Sequence, residues 1–212
     1  VTYIPNGITR PEPQGAAMIG EKYGLLKDGY FLFLARIVPE KGLHYLIEAF
    51  SGLKTDKKLV IAGGSSQAMA YMEQIHRMAA RDERIIMTDF VQGQILEELY
   101  ANAYAFVLPS DVEGMALTLL EAMSYGDCCL VSDIRENTEV VEDKALTFKK
   151  GDVKDLRRQL AFMLEHPETV RRMGEESVDY ICGKYDWEDV TRRTLAVYRR
   201  AAGDKRPEKK EG

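Results

Sequence analysis

Short apolar runs alternate with longer amphipathic segments along most of this chain, and that alternation limits the fold more than any other feature. Tyr30–Ala35 (YFLFLA) is apolar throughout and long enough for a strand buried on both faces. Lys58–Ala62 (KLVIA), Arg84–Thr88 (RIIMT), Tyr104–Pro109 (YAFVLP), Cys128–Ser132 (CCLVS) and Ala145–Phe148 read as five more strands. Between them lie segments with helical spacing. In Lys41–Leu53, the residues Leu43, Leu46, Ile47 and Phe50 share one face. Ser66–Ala80, Ile95–Asn102 and Ala116–Tyr125 read as helices too, the last stopped by Gly126. Strands without polar alternation need cover on both faces, and the intervening helices supply it. The pattern predicts an α/β fold: a Rossmann-like, doubly wound parallel sheet of about six strands with helices on both faces.

After Phe148 the pattern changes to helices alone: Asp152–Leu164, Glu168–Tyr185 and Trp187–Ala202. Pro167 marks the first gap, and Asp186 is placed to cap the last helix. At the other end, Val1–Ile4 reads as a strand, so the chain is expected to begin in the middle of a longer protein. Residues 1–202 form one expected domain. The charged tail Gly203–Gly212 lacks large apolar residues and is expected to be disordered.

A chain of 212 residues suffices for one α/β domain with a sizeable core. Its net charge of -5 gives no reason to expect nucleic acid as a partner. No apolar run approaches the length of a membrane span, and no signal peptide opens the chain. Cys128, Cys129 and Cys182 are odd in number, and two are adjacent, which fits neither a disulfide framework nor a zinc site. They read as buried reduced thiols of a cytoplasmic protein. His44, His76 and His166 show no catalytic arrangement and read as solvated helix residues.

In an open parallel sheet, ligands bind beyond the carboxyl ends of the strands. After the first strand come Arg36 and Lys41, after the second Gly63-Gly64-Ser65, and after the fourth Pro109–Met115; these loops should converge. Lys41 falls near the start of a helix, where a cation opposes the dipole, and a bound diphosphate would explain it. Gly63-Gly64 allows close approach of the backbone to a ligand. Glu113 precedes a helix start and Glu121 lies within that helix, so both can look toward the unpaired amides near Ala116–Thr118. Neither G-x-G-x-x-G nor G-x-x-x-x-G-K-[ST] is present, which counts against a standard dinucleotide fold and a P-loop ATPase.

These residues, in this order, resemble the retaining glycosyltransferases with the GT-B fold (glycosyl transferases group 1, family 4). The segments that carry the resemblance are Pro5-Asn6-Gly7-Ile8-Thr9, Ala35–Gly42, the Gly-rich turn closing Val60–Gly64, Ser110–Gly126 with its E-x₇-E glutamates, and Tyr185-Asp186-Trp187-Glu188. Ala35, Thr9, Asp89 and Cys128 depart from the family pattern at Gly, Asp, Gly and Pro positions. The resemblance implies that Arg36 and Lys41 bind the donor diphosphate and that Glu113 sits beside the transferred sugar. It implies that Glu121 holds the ribose. Gly114, Met115, Ala116 and Leu117 would offer backbone contacts, and Phe90 and Val91 would border the base. The implied reaction moves a hexose from a UDP- or GDP-linked sugar to an acceptor hydroxyl with retention, without a metal or cofactor. It also implies an N-terminal acceptor domain outside this chain, an acceptor glycan or lipid, little activity of this chain alone, and a full-length protein that is cytoplasmic or peripheral to a membrane. Two other functions remain open: a sugar-nucleotide epimerase, and a non-catalytic nucleotide-binding or scaffold domain of the same fold.

Overall fold

The computed structural model describes residues 2–64 and 68–203. The apolar runs form one sheet of β1 (Tyr30–Leu34), β2 (Lys58–Ala62), β3 (Ile85–Asp89), β4 (Ala105–Leu108), β5 (Cys129–Ser132) and β6 (Leu146–Phe148). Every neighbouring pair is parallel, in the order β3-β2-β1-β4-β5-β6. The chain winds outward from β1 to β3, returns to the far side of β1, and winds outward again. Successive side chains of each strand enter opposite cores. Tyr30, Leu32, Val60, Phe106 and Val131 serve one face. Phe31, Phe33, Ile61, Val107 and Leu130 serve the other. Both faces are therefore dry, as the uninterrupted apolar runs require.

The helices in chain order are α1 (Ala17–Tyr23), α2 (Leu43–Ser51), α3 (Met69–Ala79), α4 (Gln94–Ala101), α5 (Leu117–Tyr125), α6 (Arg135–Val141), α7 (Val153–Glu165), α8 (Pro167–Lys184) and α9 (Trp187–Ala201). α1, α4, α5 and α6 cover the first face; α2, α3 and α7 cover the second. α8 packs along α5 and reaches both cores through Ile181 and Val170.

Four local expectations need correction. Residues 2–4 are not a strand: Tyr3 is exposed, its carbonyl accepts from Arg193 of the last helix at 2.8 Å, and farther along the segment reaches the start of that helix. There Ile8 bridges Asp186, and its N–H donates to the Tyr185 carbonyl at 2.8 Å. The expected helix Lys41–Leu53 is two elements, a single 3-10 turn at Pro39–Lys41 and α2, separated by Gly42 in the left-handed region. The expected helix Ser66–Ala80 is α3 over Met69–Ala79, with Ser66 and Gln67 outside the described residues. Finally, α1 and α6 were not anticipated. Neither has a side-chain cap of its own. The start of α1 is held from a distance, because the buried Glu98 accepts from the amides of Met18 and Ile19 at 2.8 and 3.1 Å. Of the expected disordered tail, Asp204–Gly212 lies outside the described residues.

Two places in this fold reverse what local rules suggest. Gly174 lies inside α8, where Gly→Ala ordinarily stabilises by about 1 kcal/mol. Here a Cβ would sit 2.1 Å from the Gly126 carbonyl oxygen and 3.2 Å from the Cys128 nitrogen, both backbone atoms. Gly174→Ala is therefore expected to cost about 2 kcal/mol, read as a lowered midpoint in denaturant unfolding; an unchanged or raised midpoint would contradict the packing. Asp127 is 4% exposed and its Oδ2 has no hydrogen-bond partner among the described residues. Burial pushes its carboxyl well above the ordinary value of 3.8, so the folded state holds a proton that the unfolded chain gives up. With more protons on the folded state, stability is fullest below pH 3.8 and falls as pH rises toward the raised folded value. Asp127→Asn should flatten that decline and stabilise the protein at neutral pH by about 1–3 kcal/mol. Thermal unfolding between acid and neutral pH measures both effects.

Candidate functional site

The reversal of winding falls between β1 and β4, so the loops beyond these two strands border a crevice at the carboxyl edge. They are locked together. Gly42, at φ +65, places its Cα where a Cβ would lie 2.0 Å from the Pro109 carbonyl oxygen. Next to it the Asp111 amide donates to the Glu40 carbonyl at 2.8 Å. The β2 loop joins through the Ile37 amide, which donates to the Gly64 carbonyl at 3.1 Å. The predicted convergence thus holds for Arg36–Gly42, Gly63-Gly64 and Pro109–Met115, while Ser65 lies outside the described residues. Gly63 serves a different end from the one expected. At φ +133, a Cβ there would meet the Ala35 carbonyl oxygen at 1.9 Å, so glycine is required by the approach of the β1 loop. Among the described residues, apart from chain neighbours, nothing lies within 4 Å of a Cβ added at Gly64 or Gly114.

Lys41 closes the 3-10 turn and immediately precedes Gly42, the N-cap of α2, so it falls near a helix start as expected. Its Nζ lies 2.6 Å from Glu113 Oε1, with the two side chains 15% and 4% exposed. Ser110 Oγ donates to the same oxygen at 2.7 Å. Below it, Ser132 Oγ donates to the Ser110 carbonyl at 2.5 Å, and Asn137 Nδ2 of α6 donates to Ser132 Oγ at 3.1 Å. A buried chain of polar groups therefore runs from α6 to the ion pair. On the other flank, Tyr45 OH donates to Asp111 Oδ2 at 3.2 Å. His44 is half-buried, 2.8 Å from Tyr71 OH through Nδ1, with its pKa lowered by burial, and so is not the solvated residue expected. His76 and His166 are exposed. Arg36 is exposed and forms no ion pair with any described residue.

At the N-terminus of α5, Ala116 stands at the cap position and supplies no side-chain acceptor. The amides of Met115, Ala116, Leu117 and Thr118 find no acceptor among the described residues. Uncapped amides and the positive end of the dipole favour an anion here. Leu117 and Gly114 are exposed, Ala116 is buried, and Met115 is half-buried. The Met115 thioether turns toward the segment before α1, where it accepts from the Asn6 amide at 3.4 Å. That segment is seated by Gly7, whose added Cβ would be 2.4 Å from the Trp187 ring. Two parts of the sequence pattern, Pro5–Thr9 and Tyr185–Glu188, thereby meet in space.

Glu121, half-buried in α5, is held by a residue that sequence reasoning missed. Tyr100 OH of α4 donates to Glu121 Oε2 at 2.8 Å, and its ring stacks on Tyr125. Burial and the neighbouring Glu121 carboxylate push the Tyr100 pKa well up, so it remains the donor. Among the described residues, Oε1 of Glu121 has no partner, which leaves it open to a ligand. No local signal links residues 100 and 121. Beyond β3, Phe90 is 75% exposed, while Val91 is half-buried against the first core. Asp89 has φ +58 and accepts from the Gly63 amide at 2.9 Å through its carbonyl. The backbone at this departure from the expected Gly thus keeps a glycine conformation. A hollow of 710 Å³ beside α7, walled by Gly52, Lys54, Lys154 and Arg157, includes none of these residues.

Among the described residues, no group of three or more His, Cys, Asp or Glu could hold a metal ion. None of the described helices is long and apolar enough to cross a membrane. Cys128 and Cys129 are buried free thiols, pushed up in pKa by that burial, Cys128 to about 12.

Residues 19–179 match the family of glycosyl transferases group 1. The O-antigen chain mannosyltransferase B of Escherichia coli is 27% identical over 206 residues, covering 93% of this chain and 51% of that protein. The GDP-mannose-dependent alpha-(1-6)-phosphatidylinositol monomannoside mannosyltransferase of Mycolicibacterium smegmatis is 28% identical over 204 residues, covering 87% and 52%. Among solved structures, Anabaena Alr3699/HepE in complex with UDP and glucose superposes with a TM-score of 0.83 at 17% identity, covering 92% of this chain and 56% of that one. Sucrose-phosphate synthase from Thermosynechococcus elongatus gives 0.81 at 20%, covering 95% and 53%. The chain spans about half the length of these relatives. It belongs to the glycosyl transferases group 1 family, and its Rossmann-like sheet is that of the GT-B glycosyltransferases.

Tyr100→Phe keeps the stacked ring and deletes the hydrogen bond to Glu121. A hydrogen bond to a charged group contributes about 1.5–3 kcal/mol, so the variant should lose stability in that range. An unchanged unfolding midpoint would show that the pair does not hold.

Proposed function

We propose that this chain is the nucleotide-sugar-binding, C-terminal half of a retaining, family 4 hexosyltransferase. One observation carries the reading: the uncapped amides of α5 follow the loop whose Glu113 holds Lys41, at the switch point of the sheet, and the other loop there carries Arg36, which forms no ion pair with a described residue. That is a site for a diphosphate. Arg36 and Lys41 grip its oxygens as charge partners, and the amides of Met115, Ala116 and Leu117 donate to it. Glu121 accepts from two neighbouring ribose hydroxyls through the oxygen Tyr100 leaves open. Phe90, with the Val91 backbone, borders the base. Glu113 and Gly114 face the sugar.

The chemistry follows from charge. As the anomeric C–O bond to phosphate breaks, positive charge grows on the sugar and negative charge on the departing diphosphate. Fixed cations and amides at the leaving group stabilise that separation most in the transition state. The acceptor hydroxyl, of a glycan or lipid, then takes the sugar on the face the diphosphate left, its oxygen bonding to the anomeric carbon as its proton passes to the departing diphosphate. A second domain of the same protein supplies the acceptor side, in keeping with the half-length match to relatives. The buried thiols of Cys128 and Cys129 suit a protein of the cytoplasm.

Thermal unfolding with UDP, GDP and ADP tests the reading. A bound nucleotide at 100 times its Kd should stabilise the chain by about 2.7 kcal/mol, and the strongest response names the base. Arg36→Ala and Glu121→Ala should abolish the shift while keeping the fold. No response to any of the three nucleotides, or full response in both variants, would rule the reading out. The chain alone should bind donor yet transfer sugar at most slowly, so brisk transfer by it would contradict the two-domain part.

A further inference from the structure

We infer that Glu113 makes this site discriminate by charge, so that the nucleoside diphosphate product gains little advantage over the sugar-linked donor; the inference rests on the donor reading above. The two cations of the crevice are not equivalent. Arg36 is exposed and forms no ion pair with a described residue, whereas Lys41 is already matched by a carboxylate 2.6 Å away. That carboxylate cannot swing aside cheaply. It is 4% exposed, and leaving would strand both Lys41 Nζ and Ser110 Oγ, which donates to it at 2.7 Å. A phosphate oxygen gripped by Lys41 at about 2.8 Å therefore lies within roughly 6 Å of the Glu113 carboxylate. At such distances, with both side chains of the ion pair largely buried, the carboxylate offsets much of the attraction that Lys41 exerts on each unit of phosphate charge.

Donor and product differ at that phosphate. In a nucleotide-sugar the terminal phosphate is esterified and carries one charge. In the bare diphosphate it has a second ionisation near pH 6, so above that it carries about one charge more. Two uncompensated cations would hold the more charged molecule tighter, and the product would occupy the site at the donor's expense. With Glu113 in place the net cationic charge facing the terminal phosphate falls from two to one, and the surplus attraction falls with it. Glu113 is in this sense a specificity-determining residue, selecting for the charge of the diester.

Isothermal titration of the full chain at about pH 8, where the second ionisation is complete, separates charge from sugar contacts. The ligands are UDP and GDP, each beside its terminal-phosphate methyl ester, which has the donor's charge and no sugar. In the wild-type chain each free diphosphate and its ester should bind within about twofold of each other. In Glu113→Gln, which keeps shape and removes charge, the free diphosphate should gain about tenfold over its ester, a shift of about 1.4 kcal/mol. A wild-type preference of tenfold or more for the free diphosphate overturns the inference even if the variant does not fold. So does an unchanged ratio in a folded variant. If the wild-type chain binds none of the four ligands, the donor reading itself fails and this inference with it; if it binds them with the wrong ratios, only this inference fails.

Discussion

Between β1 and β4 the chain reverses its direction of travel across the sheet, and the rest of the site depends on that reversal. Parallel strands carry their connecting loops away at the carboxyl edge. Where winding proceeds in one direction, successive loops cover one another. At the reversal they diverge and leave a crevice open. Gly42 then brings the two diverging loops back into contact at one point, against the Pro109 carbonyl. No residue with a side chain fits there, and the left-handed backbone adds a second reason for glycine. Everything downstream, from the Lys41–Glu113 contact to the direction of α5, presupposes that contact.

The ion pair shows what the fold tolerates for the sake of the site. Removing a lysine and a glutamate from water is costly, and such a pair is a weak source of stability by itself. It is placed on the loop before α5, which begins without a side-chain cap, and on the facing loop the exposed Arg36 forms no ion pair with a described residue. Each of these breaks a local rule, and together they surround one position with unspent cationic and hydrogen-bonding capacity. The polar chain Asn137–Ser132–Ser110 beneath the pair and the Tyr100–Glu121 contact beside it are the supports. They set two glutamates of one motif to different tasks: Glu113 is spent on a cation, and Glu121 is held by one oxygen with the other left open.

The sheet was legible because its evidence is short-range. Runs such as YFLFLA bury both faces wherever they sit, so strand identity and the parallel α/β class follow from composition within a few residues. The converging loops followed from the strands. The charged site residues stood out because they fall at strand ends in a known order. What escaped notice was held by distant partners. α1 begins where Glu98 accepts its first amides, and its own sequence carries no start signal. Residues 2–4 have a strand's composition but pair with no strand among the described residues, and the Tyr3 carbonyl accepts from Arg193 of α9 instead.

Residue identity and spacing thus determined the class of fold, the family and the identity of the charged groups, because those rest on local burial patterns and on motif order. Tertiary structure alone decided their roles. Lys41 looked like a cation at odds with a helix start, and the fold gives it a partner in Glu113, 72 residues away. Gly63 looked like a ligand's glycine and belongs to the Ala35 carbonyl. Glu121, which the resemblance made a ribose anchor, is itself fixed by Tyr100. Each of these depends on an approach of a few ångströms between atoms far apart in the chain, and only the folded path of the backbone brings them together.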